Sequence, residues 1–255
     1  MGEFIEQTNP LLLAPAFLAA MLAAWGIGWW AGRKATPEPG QDPGIKFTDA
    51  ALALLGLLLA FTFSMSLARH EQRRAMVVTE SNAIGDFYTC ASLLNGPQRS
   101  PLQDVIREYA RRKRDLAQRL RSETDLEAEL LWFQQAHARM TTLVAEAVAE
   151  RTPIAVSLTN TLNNVTSTNA ARLAAYRDRL PWSIVLLLLI GAVVPSFLMG
   201  LQQAGTPRPH LSGTVCFFLM VTLVVYVTLD LNQPRRGLIT VSQEPLERLA
   251  LSLEP

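Results

Sequence analysis

The sequence predicts an all-α integral membrane protein, with four transmembrane helices and a cytoplasmic helical bundle inserted between spans 2 and 3. Three observations carry that expectation. Hydrophobic residues make up 49% of the 255-residue chain and charged residues only 18%, with a mean hydropathy of +0.18, which is more apolar surface than a water-facing fold hides. The excess is gathered into four charge-free blocks at 11–30, 50–67, 182–201 and 211–229, each of the ~20-residue length a helix needs to cross ~30 Å of hydrocarbon. No segment alternates apolar and polar residues convincingly enough to make a strand, and there is no internal repeat.

The first block resembles a secretory signal only superficially. Glu3 and Glu6 stand where a basic leader belongs, the block is too long, and it ends on Trp29-Trp30 in place of small residues, so a retained span is expected. Pro15 and Pro195 lie inside blocks one and three and read as harmless bends, because neighbouring helices can satisfy the carbonyl each one frees. After the second block, Val77, Glu80, Ile84, Phe87, Ala91 and Leu94 keep helical spacing with no breaker before Asn95-Gly96-Pro97, and Gly85 is the one weak point. Span 2 is therefore expected to continue as one helix from 50 to 94, a length of roughly 65 Å at 1.5 Å per residue.

Three more helices follow. One starts at Ser100-Pro101, an N-cap and an N1 proline, with Leu102, Val105, Ile106, Tyr109, Leu116 and Leu120 on one face. The next begins near Asp125 and carries Leu130, Phe133, Met140, Leu143 and Val148; the last runs from about Ile154 to Pro181, with Leu158, Leu162, Val165, Tyr176 and Leu180 in a stripe. Such faces close into an antiparallel bundle. The expected divisions are 1–67 (spans 1 and 2), 68–181 (the helical domain), 182–229 (spans 3 and 4) and 230–255 (a C-terminal tail).

Charge sets the expected orientation. The chain holds 23 Lys and Arg against 22 Asp and Glu, a net charge of +1, so nucleic acid is not an expected partner. Of the 23 basic residues, Arg33, Lys34, Lys46 and Arg208 fall on the two short loops, leaving 19 on the side of the termini and the long middle segment. The positive-inside rule makes that side cytoplasmic. Cys90 falls in the cytoplasmic segment and Cys216 inside span 4, so no disulfide framework is implied.

Enzyme chemistry finds no support, and neither a cofactor nor a metal is expected. His70-Glu71-Gln72-Arg73-Arg74 begins like a zinc-protease signature, but Arg74 stands where the second ligand would be. His137 and His210 fall on opposite expected sides of the membrane, and there is no nucleophile elbow or phosphate-binding glycine loop. Asp230 and Glu244 are too few oxygens for a calcium cage. The run Arg111-Arg112-Lys113-Arg114, flanked by Glu108 and Asp115, reads as a solvated helix face, with attraction to anionic headgroups as the other reading. The stretch 157–169, dense in Ser, Thr and Asn, reads either as a solvated face or as the lining of a watery vestibule.

The segments Gly56-Leu57-Leu58-Leu59-Ala60-Phe61-Thr62-Phe63-Ser64, Arg69-His70-Glu71-Gln72-Arg73-Arg74 and Ser81-Asn82-Ala83-Ile84-Gly85 resemble the signature of the bacterial bestrophin-like domain family. The tail running from Asp230 through Asn232, Pro234, Arg236 and Gly237 to Leu246 resembles that family's C-terminal motif. The family is remotely similar to bestrophins, which are pentameric anion channels with four spans. What the resemblance implies is a homo-oligomer, pentameric by analogy, in the lipid bilayer of a bacterial inner membrane, passing small ions, anions favoured, through a pore lined by span 2. Matching Arg69 to the cluster that follows the bestrophin pore neck implies Ala53, Leu57 and Phe61 as neck positions, with Arg69, Glu71, Arg73 and Arg74 at the cytoplasmic mouth. Ala53 is smaller than the pattern prefers, the chain runs Arg-x-Glu where bestrophins run Arg-x-x-Glu, and the acidic calcium clasp of animal bestrophins is missing. The competing reading is a membrane-anchored helical scaffold or signalling module with no pore.

Overall fold

The computed structural model describes residues 10–34, 43–119, 123–178, 180–205, 211–233 and 238–254. Among them there are eight helices and no strand: α1 (Pro10–Lys34), α2 (Pro43–Ser92), α3 (Arg99–Arg119), α4 (Glu123–Ala149), α5 (Ala155–Arg177), α6 (Trp182–Gln203), α7 (Leu211–Asn232) and α8 (Glu244–Ser252). The protein is all-α, and α1, α2, α6 and α7 are long and apolar enough to cross a membrane. The 50-residue α2 is continuous through Gly85, as the unbroken periodicity predicts.

The chain divides into two compact units, with α2 shared between them at His70 and Glu71. The first unit holds α1, the apolar half of α2, α6, α7 and the chain through Thr240. Its core is Phe17 and Met21 from α1, Leu55 from α2, Ala192 from α6, and Phe218, Val221 and Val225 from α7. Lipid is as apolar as these side chains, so close packing must hold such helices together, and small residues permit it. A Cβ at Gly28 would stand 2.1 Å from the Phe197 carbonyl oxygen, and one at Gly200 would stand 2.1 Å from that of Trp25. The backbones of α1 and α6 thus touch where only glycine fits. A hydrogen-bonded chain joins three helices nearby: Trp25 Nε1 donates to Gln203 Oε1 at 3.1 Å, and Gln203 Nε2 donates to Thr214 Oγ1 at 2.8 Å. Two buried hydroxyls of the spans turn back on their own helix, Thr62 to the Leu58 carbonyl and Ser196 to that of Ala192, which gives each of these donors a partner in an apolar setting.

The second unit packs the rest of α2 with α3, α4, α5 and α8. Its core contains Val77, Ile84, Phe87, Ala91 and Leu94 from α2, Leu102, Ile106 and Tyr109 from α3, Phe133 and Met140 from α4, and Leu158, Leu162 and Val165 from α5. Each fully buried large side chain contributes about 1.5–3 kcal/mol. Tyr109 meets Phe133 edge-on with ring centroids 5.2 Å apart. Leu116 and Leu120, expected on the α3 face, lie outside the residues whose side chains are described, and Val148 is exposed. The helix α8 has no counterpart in the sequence reading. Leu246 and Ala250 are buried on it, as is Leu253 just past its end, and Arg107 Nε donates to the Leu253 carbonyl at 3.0 Å.

Candidate functional site

In the first unit, the expected neck residues fall on an outward stripe of α2. Their i, i+4 spacing puts them on one helix face. Leu57 and Phe61 are 52% and 61% exposed in the single chain, and Ala53 is exposed one turn earlier. The opposite flank is buried, with Leu55, Thr62 and Ser66 turned into the unit and Leu58 lying against Gly191 of α6. Four residues were expected together at a mouth, and they differ in exposure: Arg69 is half-buried, Glu71 and Arg74 are exposed, and Arg73 is 1% exposed.

Two residues of the tail motif have a visible task in the same unit. Asp230 is buried, and its carboxylate accepts the backbone N–H of Leu238 at 3.0 Å and that of Ile239 at 2.9 Å. Asn232 Oδ1 accepts the backbone N–H of Leu180 at 2.8 Å. The end of α7 thereby holds both the chain that follows it and the residue two places before α6. Pro234, Arg236 and Gly237 lie outside the described residues.

The second unit contains a charged centre that the sequence reading passed over. Glu80 is 0%, Lys113 3% and Arg172 4% exposed. Lys113 Nζ lies 2.8 Å from Glu80 Oε1 and donates to Asn169 Oδ1 at 2.5 Å. Arg172 pairs with the other Glu80 oxygen through Nη1 and donates from Nη2 to Gln243 Oε1 at 2.7 Å. Four segments of chain are thus tied to one carboxylate. Burial by itself would raise the Glu80 pKa, but Lys113 and Arg172 outweigh it and hold the pKa below the ordinary value. Lys113 is lowered by burial despite its carboxylate partner, while for Arg172 the lowering effect of burial is more than offset by Glu80 and Tyr176 together, and its pKa is raised. The expectation that the run 111–114 forms a solvated face is thereby corrected: Lys113 points inward between Glu80 and the Phe133 ring, 4.4 Å from its centroid, and Arg112 lies over Trp132 at 4.1 Å. Glu80 sits in an apolar stripe and Lys113 in a basic run, so the available signal was Glu80 alone, a charge at a core position of a helix.

Among the described residues no group of three or more His, Cys, Asp or Glu could hold a metal ion, and Cys90 and Cys216 are free thiols. A family model, described as the bestrophin-like domain, matches residues 16–246. The chain belongs to the bestrophin-like domain family. The match runs from within α1 through α7 to Leu246, so both the outward α2 stripe and the Asp230 clasp of this bestrophin-like protein lie inside it. Comparison with curated proteins and with solved structures returned no match.

Proposed function

We propose that this bestrophin-like protein is a homo-oligomeric membrane channel that passes small ions, anions in preference, through a pore lined by α2. The observation that supports it is the α2 stripe: Leu57 and Phe61 are more than half exposed on the single chain, so a lipid tail or a second copy must cover them. Four spans are too few to enclose a conduit, and a closed ring in which equivalent helices face one axis supplies what one chain cannot. In such a ring, pentameric by family resemblance, the Phe61 side chains form a dry throat that gates by dewetting, and Arg69 and Arg74 at the mouth raise the local anion concentration. The membrane is the bacterial inner membrane, with both termini cytoplasmic.

Ion flux into reconstituted vesicles tests the reading, measured beside the size-exclusion profile. Phe61→Ala widens the throat and should raise flux with the oligomer intact. Leu58→Ala, which removes packing against α6 at Gly191, should lower thermal stability by about 2–5 kcal/mol. Equal flux in wild type and both variants, all with intact oligomers, would leave a membrane-anchored scaffold with no pore.

A further inference from the structure

The helices of the second unit present charge outward, with one exception. Asp104 and Glu108 on α3, Glu127 and Arg139 on α4, and Arg248 on α8 are all exposed. On α5, by contrast, no charged residue stands between Arg151 and Arg172. Its buried stripe, Leu158, Leu162 and Val165, belongs to the unit's core. Its outward face carries Ser157, Asn160, Asn163, Asn164 and Ser167, all exposed, with Val156 at 74%.

The hydroxyls of this helix are largely spent on it. Thr159 donates to the Ala155 carbonyl at 2.9 Å, Thr161 to Ser157 at 2.9 Å, Thr166 to Leu162 at 3.1 Å and Thr168 to Asn164 at 2.7 Å. What the face offers outward is methyl surface and the amides of Asn160, Asn163 and Asn164, each with a donor and an acceptor. Such a surface is complementary to itself. In a symmetric assembly every side chain near the axis is repeated by each copy, so a charge there meets its own like charge. An amide meets an amide, donor to acceptor. The α3 and α4 faces fail that test and the α5 face passes it.

We propose that the outward face of α5 is a contact surface between copies of this chain, the partner being a second copy that presents its own α5. The inference rests on the oligomeric reading above and assigns it a surface.

The test uses the full chain in lipid nanodiscs, carrying Cys216→Ala so that the buried Cys90 is the sole native thiol. Asn160→Cys and Asn163→Cys should form covalent dimers on mild oxidation, and Gln134→Cys, exposed on α4, should stay single. In parallel, Asn163→Glu should collapse the oligomer peak to monomer at neutral pH, while Asn163→Gln should keep it. An oligomer that survives Asn163→Glu, with neither α5 cysteine cross-linking, overturns this inference and leaves the channel reading standing. A wild-type chain that is itself monomeric removes both.

Discussion

Glu80 shows how a single side chain organises the second unit. It lies on the α2 stripe of Val77, Ile84 and Phe87, well past the apolar block, and it meets Lys113 and Arg172 in the interior. A buried pair is weak evidence for stability in itself, but removing one partner leaves uncompensated charge. Glu80→Gln should therefore lower stability at neutral pH by about 3–5 kcal/mol. The pH dependence has a defined sign. Because the folded-state pKa of Glu80 is lowered, its contribution is fully present above the ordinary glutamate range and is lost as pH falls through the folded value. Melting temperature followed into acid should fall more steeply for wild type than for Glu80→Gln; parallel curves would show that the carboxylate does not stabilise the fold. Asp230 was legible as part of a motif, but its task was not, because its partners are backbone N–H groups of residues that sequence alone leaves unplaced.

At the scale of elements, the contact of α1 with α6 depends on glycine. The first block reads as apolar nearly all round, so hydropathy says that it is buried in something but not which flank meets which helix. Gly28 and Gly200 settle that, each sitting against a backbone carbonyl where a Cβ cannot enter. Gly200→Ala should force the helices apart and cost about 1–3 kcal/mol in detergent unfolding. Gly26→Ala, at a position with open space around it, is the control, and an equal response of the two would mean that the close approach is not what holds the pair. The continuity of α2 through Gly85 was legible from periodicity, and a Cβ there would meet Leu249 of α8 at 3.3 Å.

For the whole molecule, the proposed orientation in the bilayer rests on the division of basic residues, 19 of 23 lying with the termini and the long middle segment. Positive charge is retained on the cytoplasmic side. A cysteine probe at Gly205, exposed at the end of α6, should react with a membrane-impermeant maleimide in intact spheroplasts. One at Gln134 should react only after the membrane is opened, and the reverse pattern would overturn the proposed topology.

The sequence alone determined the all-α class, the four spans and the family, because hydropathy and helical period are properties of neighbouring residues and need no knowledge of what packs where. It also marked Leu57 and Phe61, through resemblance, on a stripe that the folded chain leaves outward. The tertiary structure decided what depends on residues far apart in the chain meeting in space: Lys113 turning inward from a run of surface cations, Arg172 reaching Glu80 from α5, and the Asp230 carboxylate gathering the returning backbone. A polar group is cheap to bury only when its partners are already there. Its placement is therefore fixed by the assembled fold and not by its own position in the chain.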